Sequence, residues 1–372
     1  MSIEWKTLEL KNILGNYHLG ELVGFEQDRR GTVNTSFTIE MEQDGQRRKY
    51  FLRRYKSGIQ EEEIQCEHSL ISHLIQAQTL PVAHLHRTLD GRTYLHRLAG
   101  PDDQQGAFYA IFDFLPGEDR YTWVDPACTP EELVSSASTL AQLHSAVNGF
   151  QPSGKRAEAK ILDLLPEISR NVAACPEKAK NTEFDAYLLE NLELVLGNVS
   201  STLAVLTESQ VDGLPQLVVH CDYHPGNLKF HQSQVSGLFD FDWSKVDLRS
   251  FDVGLALWYF CASWKNPVDG ELRLTDLAIF LGAYQEYLRL QPGARPLSPL
   301  EGRYLPYLIN AGNLYVLNWT ILDFYSKDVD PREYLIYLRH SVNFIRWFEA
   351  AGNLERLESL MHTLTGMKVD QD

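Results

Sequence analysis

One short stretch, LVVHCDYHPGNLKFHQSQVSGLFDFDWSK (217–245), brings together His220, Asp222, Asn227, Asp240 and Asp242. Asn227 follows Asp222 by five positions, and Asp240 follows Asn227 by thirteen. Pro225 and Gly226 break regular structure between Asp222 and Asn227, so the chain can bend both side chains into one pocket. Asp240, at the end of the next strand-like run, can arrive on the same side. Two carboxylates and an amide oxygen are hard ligands that suit Mg²⁺, which keeps few protein ligands and takes substrate phosphates as well. A carboxylate left off the metal can accept a proton from a hydroxyl. Together these are the parts for phosphoryl transfer from ATP to an alcohol.

The elements that must position them read in two parts. Alternating runs at 31–41, 50–55 and 107–115 predict strands. Between them, EEEIQCEHSLISHLIQ (61–76) places Ile64, Ile71, Leu74 and Ile75 at helical spacing behind an acidic first turn. Pro116-Gly117 then punctuates the chain. Thr129-Pro130-Glu131-Glu132 is a helix start with a capping box. Helical patterns follow over 130–147, 158–172, 183–205, 251–264, 275–289, 299–325, 331–350 and 353–363. They are interrupted by short strands at 217–220, 228–231 and 235–241. The expected division is 1–115 and 116–372.

Composition narrows the class. The chain has 372 residues, 44% hydrophobic and 23% charged, ordinary for a folded soluble protein but too long for one core. The net charge of −16 argues against nucleic acid as a partner. Five scattered cysteines without a CxxC pair argue against a disulfide framework or structural zinc. The N-terminal MSIEWKTLELKN lacks the apolar core of a signal peptide, and no apolar run approaches the roughly 20 residues of a membrane span. A cytoplasmic location and no membrane partner are expected. The aromatic-rich C-terminal helices allow a homodimer.

The pattern H-x-D-x-x-x-x-N followed by D-F resembles the catalytic and metal loops of protein kinases. HCDYHPGN is more similar to the small-molecule branch: aminoglycoside phosphotransferases, choline kinases and type II homoserine kinases. The resemblance runs from about Gly20 to Phe348, with DLRSFDVGLALW (247–258) similar to the segment after the metal aspartate. It implies an α+β, protein-kinase-like fold, with a β-rich N-lobe and a mainly helical C-lobe, and ATP and Mg²⁺ as cofactors. It implies Asp222 as catalytic base and Asn227 and Asp240 as metal ligands. GTVNTSF (31–37) resembles the nucleotide-covering hairpin and brings in Asn34. Arg53 stands where the family has a phosphate-contacting Lys, a departure, and Glu67 matches the residue that pairs with it. FDFLPG (112–117) resembles the interlobe hinge, where the backbone of Asp113 and Leu115 would bond adenine.

Other positions stay open at this level. Asp242 stands in place of the Gly of D-F-G and could bind metal, bind a substrate group or face water. His224 could touch substrate. His144, Arg249 and Asp252 read as structural, and Trp258, Tyr259, Trp264, Trp319 and Trp347 as core packing, though Trp319 and Tyr315 could line a substrate pocket. The expected partner is a small-molecule hydroxyl acceptor. The pattern of the C-terminal half favours a homoserine-like one, with a hexosamine-type sugar, an aminoglycoside or choline as alternatives. A nucleotide-binding regulator without transfer chemistry is the alternative of another class. A protein kinase is disfavoured because 242–252 is too short for an activation loop.

Overall fold

Strand β2 (Thr35–Gln43) alternates as the sequence does, burying Phe37, Ile39 and Met41 on one face. It lies between β1 (Glu21–Asp28) and β3 (Gln46–Arg54), and β5 (Ala107–Asp113) and β4 (Leu95–Arg97) complete the sheet. The order is β1-β2-β3-β5-β4, antiparallel throughout. Helix α1 (Ile3–Leu14), unforeseen in the sequence, brings Leu10, Ile13 and Leu14 into one cluster with Phe37, Ile39, Met41, Tyr50 and Leu52. Each such side chain contributes roughly 1.5–3 kcal/mol when fully buried. The computed structural model describes residues 3–28, 33–98 and 106–366, with side chains from Leu8 onward. Gly31 and Thr32 of the expected hairpin lie outside the described residues.

Helix α2 (Glu61–Ala77) starts on a capping box between Gln60 and Glu63 and buries Ile64, Glu67, His68, Leu70, Ile71 and Leu74. The first compact unit comprises the described residues up to Gly117 together with Pro152–Ala157 and Ser236–Asp242. The second comprises Glu118–Gln151, Glu158–Val235 and the described residues from Trp243 onward. The division is therefore not a single cut in the chain.

The second unit is mainly helical, so the architecture is α+β as the resemblance implied. It contains α3 (Pro130–Ala146), α4 (Ile161–Ala173), α5 (Cys175–Lys178), α6 (Glu183–Glu190) and α7 (Leu192–Leu206). Strands β6 (Gln216–Val219), β7 (Leu228–His231), β8 (Gln234–Leu238) and β9 (Lys245–Leu248) follow. The boundary between the units passes through β8. The unit closes with α8 (Arg249–Cys261), α9 (Leu274–Leu290), α10 (Pro299–Ser326), α11 (Pro331–Glu349) and α12 (Asn353–Thr365). The capping box of Thr129 and Glu132 is present at the start of α3. The single helix expected over 183–205 is broken at Asn191, whose side chain donates to Tyr187 O at 2.7 Å and accepts from Arg346 at 2.6 Å.

Helix α8 is buried along its whole length. It crosses α10 closely. A Cβ on Gly254 would stand 2.8 Å from the backbone of Leu308, and one on Gly312 would stand 2.9 Å from the Cα of Leu255. Neither is in a left-handed conformation; both positions need the absence of a side chain, not its freedom.

Candidate active site

In the second unit, β6 pairs with β9 and delivers the chain into His220-Cys221-Asp222. Cys221 takes φ 63°, a left-handed conformation that costs a non-glycine residue roughly 1–3 kcal/mol. Asp252, in the first turn of α8 and fully buried, holds this turn. Its Oδ2 accepts from His220 N at 3.0 Å and its Oδ1 from Cys221 N at 2.8 Å. His144 Nε2 lies 2.9 Å from Oδ2, and His144 Nδ1 lies 2.8 Å from the hydroxyl of Tyr284. Burial alone would raise the Asp252 carboxyl, but His144 and His220 outweigh it and hold it below the usual range. His144 and Asp252 are thus structural, as read from the sequence. Arg249 is too, donating to both oxygens of Glu301 at 2.7 Å.

Asp222 is tied at both oxygens. Tyr259 Oη donates to Oδ1 at 3.1 Å, and Asn227 Nδ2 donates to Oδ2 at 3.0 Å. The same Nδ2 donates to the Asp222 carbonyl at 2.9 Å. His224 Nε2 stands 3.6 Å from Oδ2, its ring folded back so that Nδ1 accepts from Gly226 N at 3.0 Å. A Cβ on Gly226 would stand 2.9 Å from that ring, so a side chain there would have to displace it. Burial pushes the Asp222 carboxyl up, but His224, His220 and Tyr259 together bring it below its ordinary value. Its side chain is 23% exposed, open enough to meet a substrate. With both hydrogen bonds of its amide nitrogen directed at Asp222, Asn227 has its oxygen as the group to offer a hard cation.

In the first unit, Arg53 and Asp240 meet. The guanidinium is split: Nη1 donates to Glu67 Oε1 at 2.9 Å and Nη2 to Asp240 Oδ1 at 2.7 Å. The fork therefore spans two acids instead of gripping one. Arg53 and Glu67 are buried, and the Asp240 side chain is 35% exposed. Glu67 Oε2 accepts from the hydroxyl of Tyr55 at 2.8 Å. Asp240 lies two residues past the end of β8 at φ 68°, a turn that aims its carboxylate back at Arg53.

Asp242 is also buried, and its Oδ2 accepts from Asn34 Nδ2 at 2.8 Å. Asn34 Oδ1 accepts from Lys56 N at 3.0 Å, and Arg156 Nη1 donates to the Asp242 carbonyl at 2.6 Å. Among the described residues the Asp242 Oδ1 has no hydrogen-bond partner. Burial and then Asp240 push its carboxyl up to about 6, against Arg53, Arg156 and Asn34. The link from Asn34 to Asp242 joins positions 208 apart and left no trace in the sequence pattern.

Asp113 ends β5 with its N–H already donating to His84 O at 2.9 Å, which narrows an adenine contact at this residue to its carbonyl. Its carboxylate lies 2.7 Å from His86 Nε2, and that bond holds it below the usual range. Asp113 and Leu115 line a cavity of about 470 Å³ with Tyr50, His84, His86 and Phe114.

Tyr259 was read from the sequence as core, yet it touches Asp222. A signal existed: it lies seven residues after Asp252, two turns along the same face of α8. Among the described residues no cluster of three or more His, Cys, Asp or Glu could hold a metal, and no helix is long and apolar enough to cross a membrane.

The model of the phosphotransferase enzyme family matches residues 26–292. A homoserine kinase of Parvibaculum lavamentivorans is 28% identical over 342 residues, covering 89% of this chain and 92% of the relative. A homoserine kinase of Afipia carboxidovorans is 27% identical, covering 89% and 91%. Among solved structures, a microcompartment-associated aminopropanol kinase superposes with a TM-score of 0.66 at 15% identity, covering 95% of this chain and 98% of that one. An amicoumacin kinase in complex with AMP-PNP and Ca²⁺ gives 0.64 at 18% identity, covering 93% and 96%.

Proposed function

Because the chain belongs to the phosphotransferase enzyme family and is a small-molecule kinase acting on a hydroxyl, we propose that its acceptor is homoserine or a close amino-alcohol analogue, phosphorylated by ATP with Mg²⁺. The observation that carries the reading is Asp222, a partly exposed carboxylate kept ionised and tied to Asn227 and Tyr259. The choice of acceptor follows relatives named homoserine kinase that align over nearly their whole length.

In this reading Asp222 orients the acceptor hydroxyl and takes its proton as the oxygen bonds to the γ-phosphorus, whose bond to the β,γ-bridging oxygen breaks and releases ADP. Asn227 and Asp240 are the proposed metal ligands, an amide oxygen and a carboxylate of the hard type Mg²⁺ prefers. Bound Mg²⁺ supplies charge neutralisation across the phosphates. Arg53, held by Glu67, contacts the α- and β-phosphates; guanidinium is a permanent cation suited to them. The Asp113 carbonyl and Leu115 N–H meet the adenine edge, and Asn34 belongs to the nucleotide-covering hairpin.

The test is ADP release with Mg-ATP against homoserine, aminopropanol, choline, ethanolamine, hexosamines and aminoglycosides. Homoserine or a close amino alcohol is expected to raise ADP release most. A hexosamine or aminoglycoside preferred over every amino alcohol would overturn the choice of acceptor. ATP binding without turnover of any acceptor would favour the nucleotide-binding regulator.

A further inference from the structure

We infer that Tyr259 is a positioning residue for the transfer, aiming the base Asp222 through its hydroxyl while an aromatic basket holds its ring. The inference rests on the proposed role of Asp222 and deepens it.

A carboxylate turns readily about its terminal torsion, which is broad and roughly two-fold. One donor fixes one oxygen and leaves the plane free to tilt. Here the two donors act on different oxygens, Asn227 on Oδ2 and Tyr259 on Oδ1, so the plane of the carboxylate is set. Asn227 reaches Asp222 from within its own loop, five residues away. Tyr259 reaches it from α8, 37 residues on. The second donor therefore references the base to a rigid helix and not to the loop that carries it. Burial and then Asp222 itself push the phenol far up, so the group remains a donor.

The ring of Tyr259 is equally confined. It lies 5.1 Å from the His224 ring, 5.2 Å from Trp258 and 6.3 Å, edge-on, from Trp123. Trp123 in turn packs 4.5 Å from Tyr337 and 5.4 Å from Trp264. Trp123 and Trp264 are only partly buried, so this is an accessible aromatic wall one ring away from the base, unlike a closed core. An acceptor lying on that wall would have its hydroxyl presented to a carboxylate whose orientation is already fixed. Small misplacements of reacting groups cost catalysis about a hundredfold, which is the scale at stake.

The experiment compares wild type, Tyr259→Phe, Tyr259→Leu, Asp222→Asn and Asp222→Asn/Tyr259→Phe in acceptor-dependent ADP release. Phe keeps the ring and removes only the hydroxyl. The expected result is a kcat lowered about tenfold to a hundredfold in Tyr259→Phe, with KM for ATP and the melting temperature as in wild type. In the Asp222→Asn background the same change is expected to cost nothing further, because Tyr259 acts through Asp222. Wild-type kcat in Tyr259→Phe with loss only in Tyr259→Leu would show a packing role and overturn the inference alone. An equal loss in both backgrounds would also overturn it. No turnover by wild type with any acceptor would overturn the proposed function, and the inference with it.

Discussion

Arg53 donates to Asp240 at 2.7 Å with one arm of its guanidinium while the other arm holds Glu67 at 2.9 Å. A lysine has one ammonium and could not satisfy both acids in this fixed, forked way. The departure from the family's Lys is thus coupled to its surroundings: the cation that grips Glu67 also meets the aspartate proposed as metal ligand.

Removing that cation strands a buried acid. Arg53→Met is expected to destabilise the first unit by about 3–5 kcal/mol, since buried Glu67 would lose its ion pair and keep the hydrogen bond from Tyr55. Arg53→Met/Glu67→Leu is expected to recover most of the loss. Urea unfolding of the two variants checks this; a double variant as unstable as the single one would contradict it.

With Asp222 as the proposed base, Asp222→Asn is expected to lower kcat about a hundredfold to ten-thousandfold. Its melting temperature should stay near that of wild type, because an amide preserves the shape and the side chain is 23% exposed. Turnover and thermal melting, measured on one preparation, separate loss of chemistry from loss of fold.

How much of this was legible in the sequence differs by element. The spacing of Asp222, Asn227 and Asp240 is local, so the candidate site could be picked out from the sequence. The helices of the second unit were readable because their apolar periodicity and capping boxes are local too. Strand β1 was not: ELVGFEQD sits at the sheet edge, with half-buried residues on both faces and no clean alternation. The break at Asn191 was invisible because the apolar period runs through it and Arg346, far along the chain, helps hold it. Asn34 with Asp242, and Tyr259 with Asp222, depend on tertiary approach, which no single-residue pattern encodes.

His68 supplies a pH dependence. It is buried between the hydroxyl of Tyr55 at 2.9 Å and that of Thr93 at 2.8 Å, and burial with Arg53 nearby lowers its pKa to about 3. The unfolded chain binds this proton near pH 6.5 and the folded chain does not until about 3. The unfolded state therefore holds more protons in between, and stability falls as pH drops from 6.5 towards 3. Melting temperature against pH should show this slope, and His68→Gln should flatten it.

Asp252→Ala should injure stability and turnover together. It leaves the N–H groups of His220 and Cys221 unpaired inside the protein, at about 1–3 kcal/mol each. It also frees Cys221 from the contact that holds its left-handed turn beside Asp222. Lower denaturant midpoint with unchanged kcat would show that the turn holds itself.

The close crossing of α8 and α10 at Gly254 and Gly312 sets where α8 can lie, and through it the proposed base. Helix α8 carries both Asp252 and Tyr259, so it grips the loop that carries Asp222 by its backbone and by its carboxylate. A methyl group at residue 254 would have to push α8 away from the backbone of Leu308, and both grips would move with it. Drift in sequence at this buried seam would then read out as changes in turnover number, in enzymes whose acceptor-facing residues are identical.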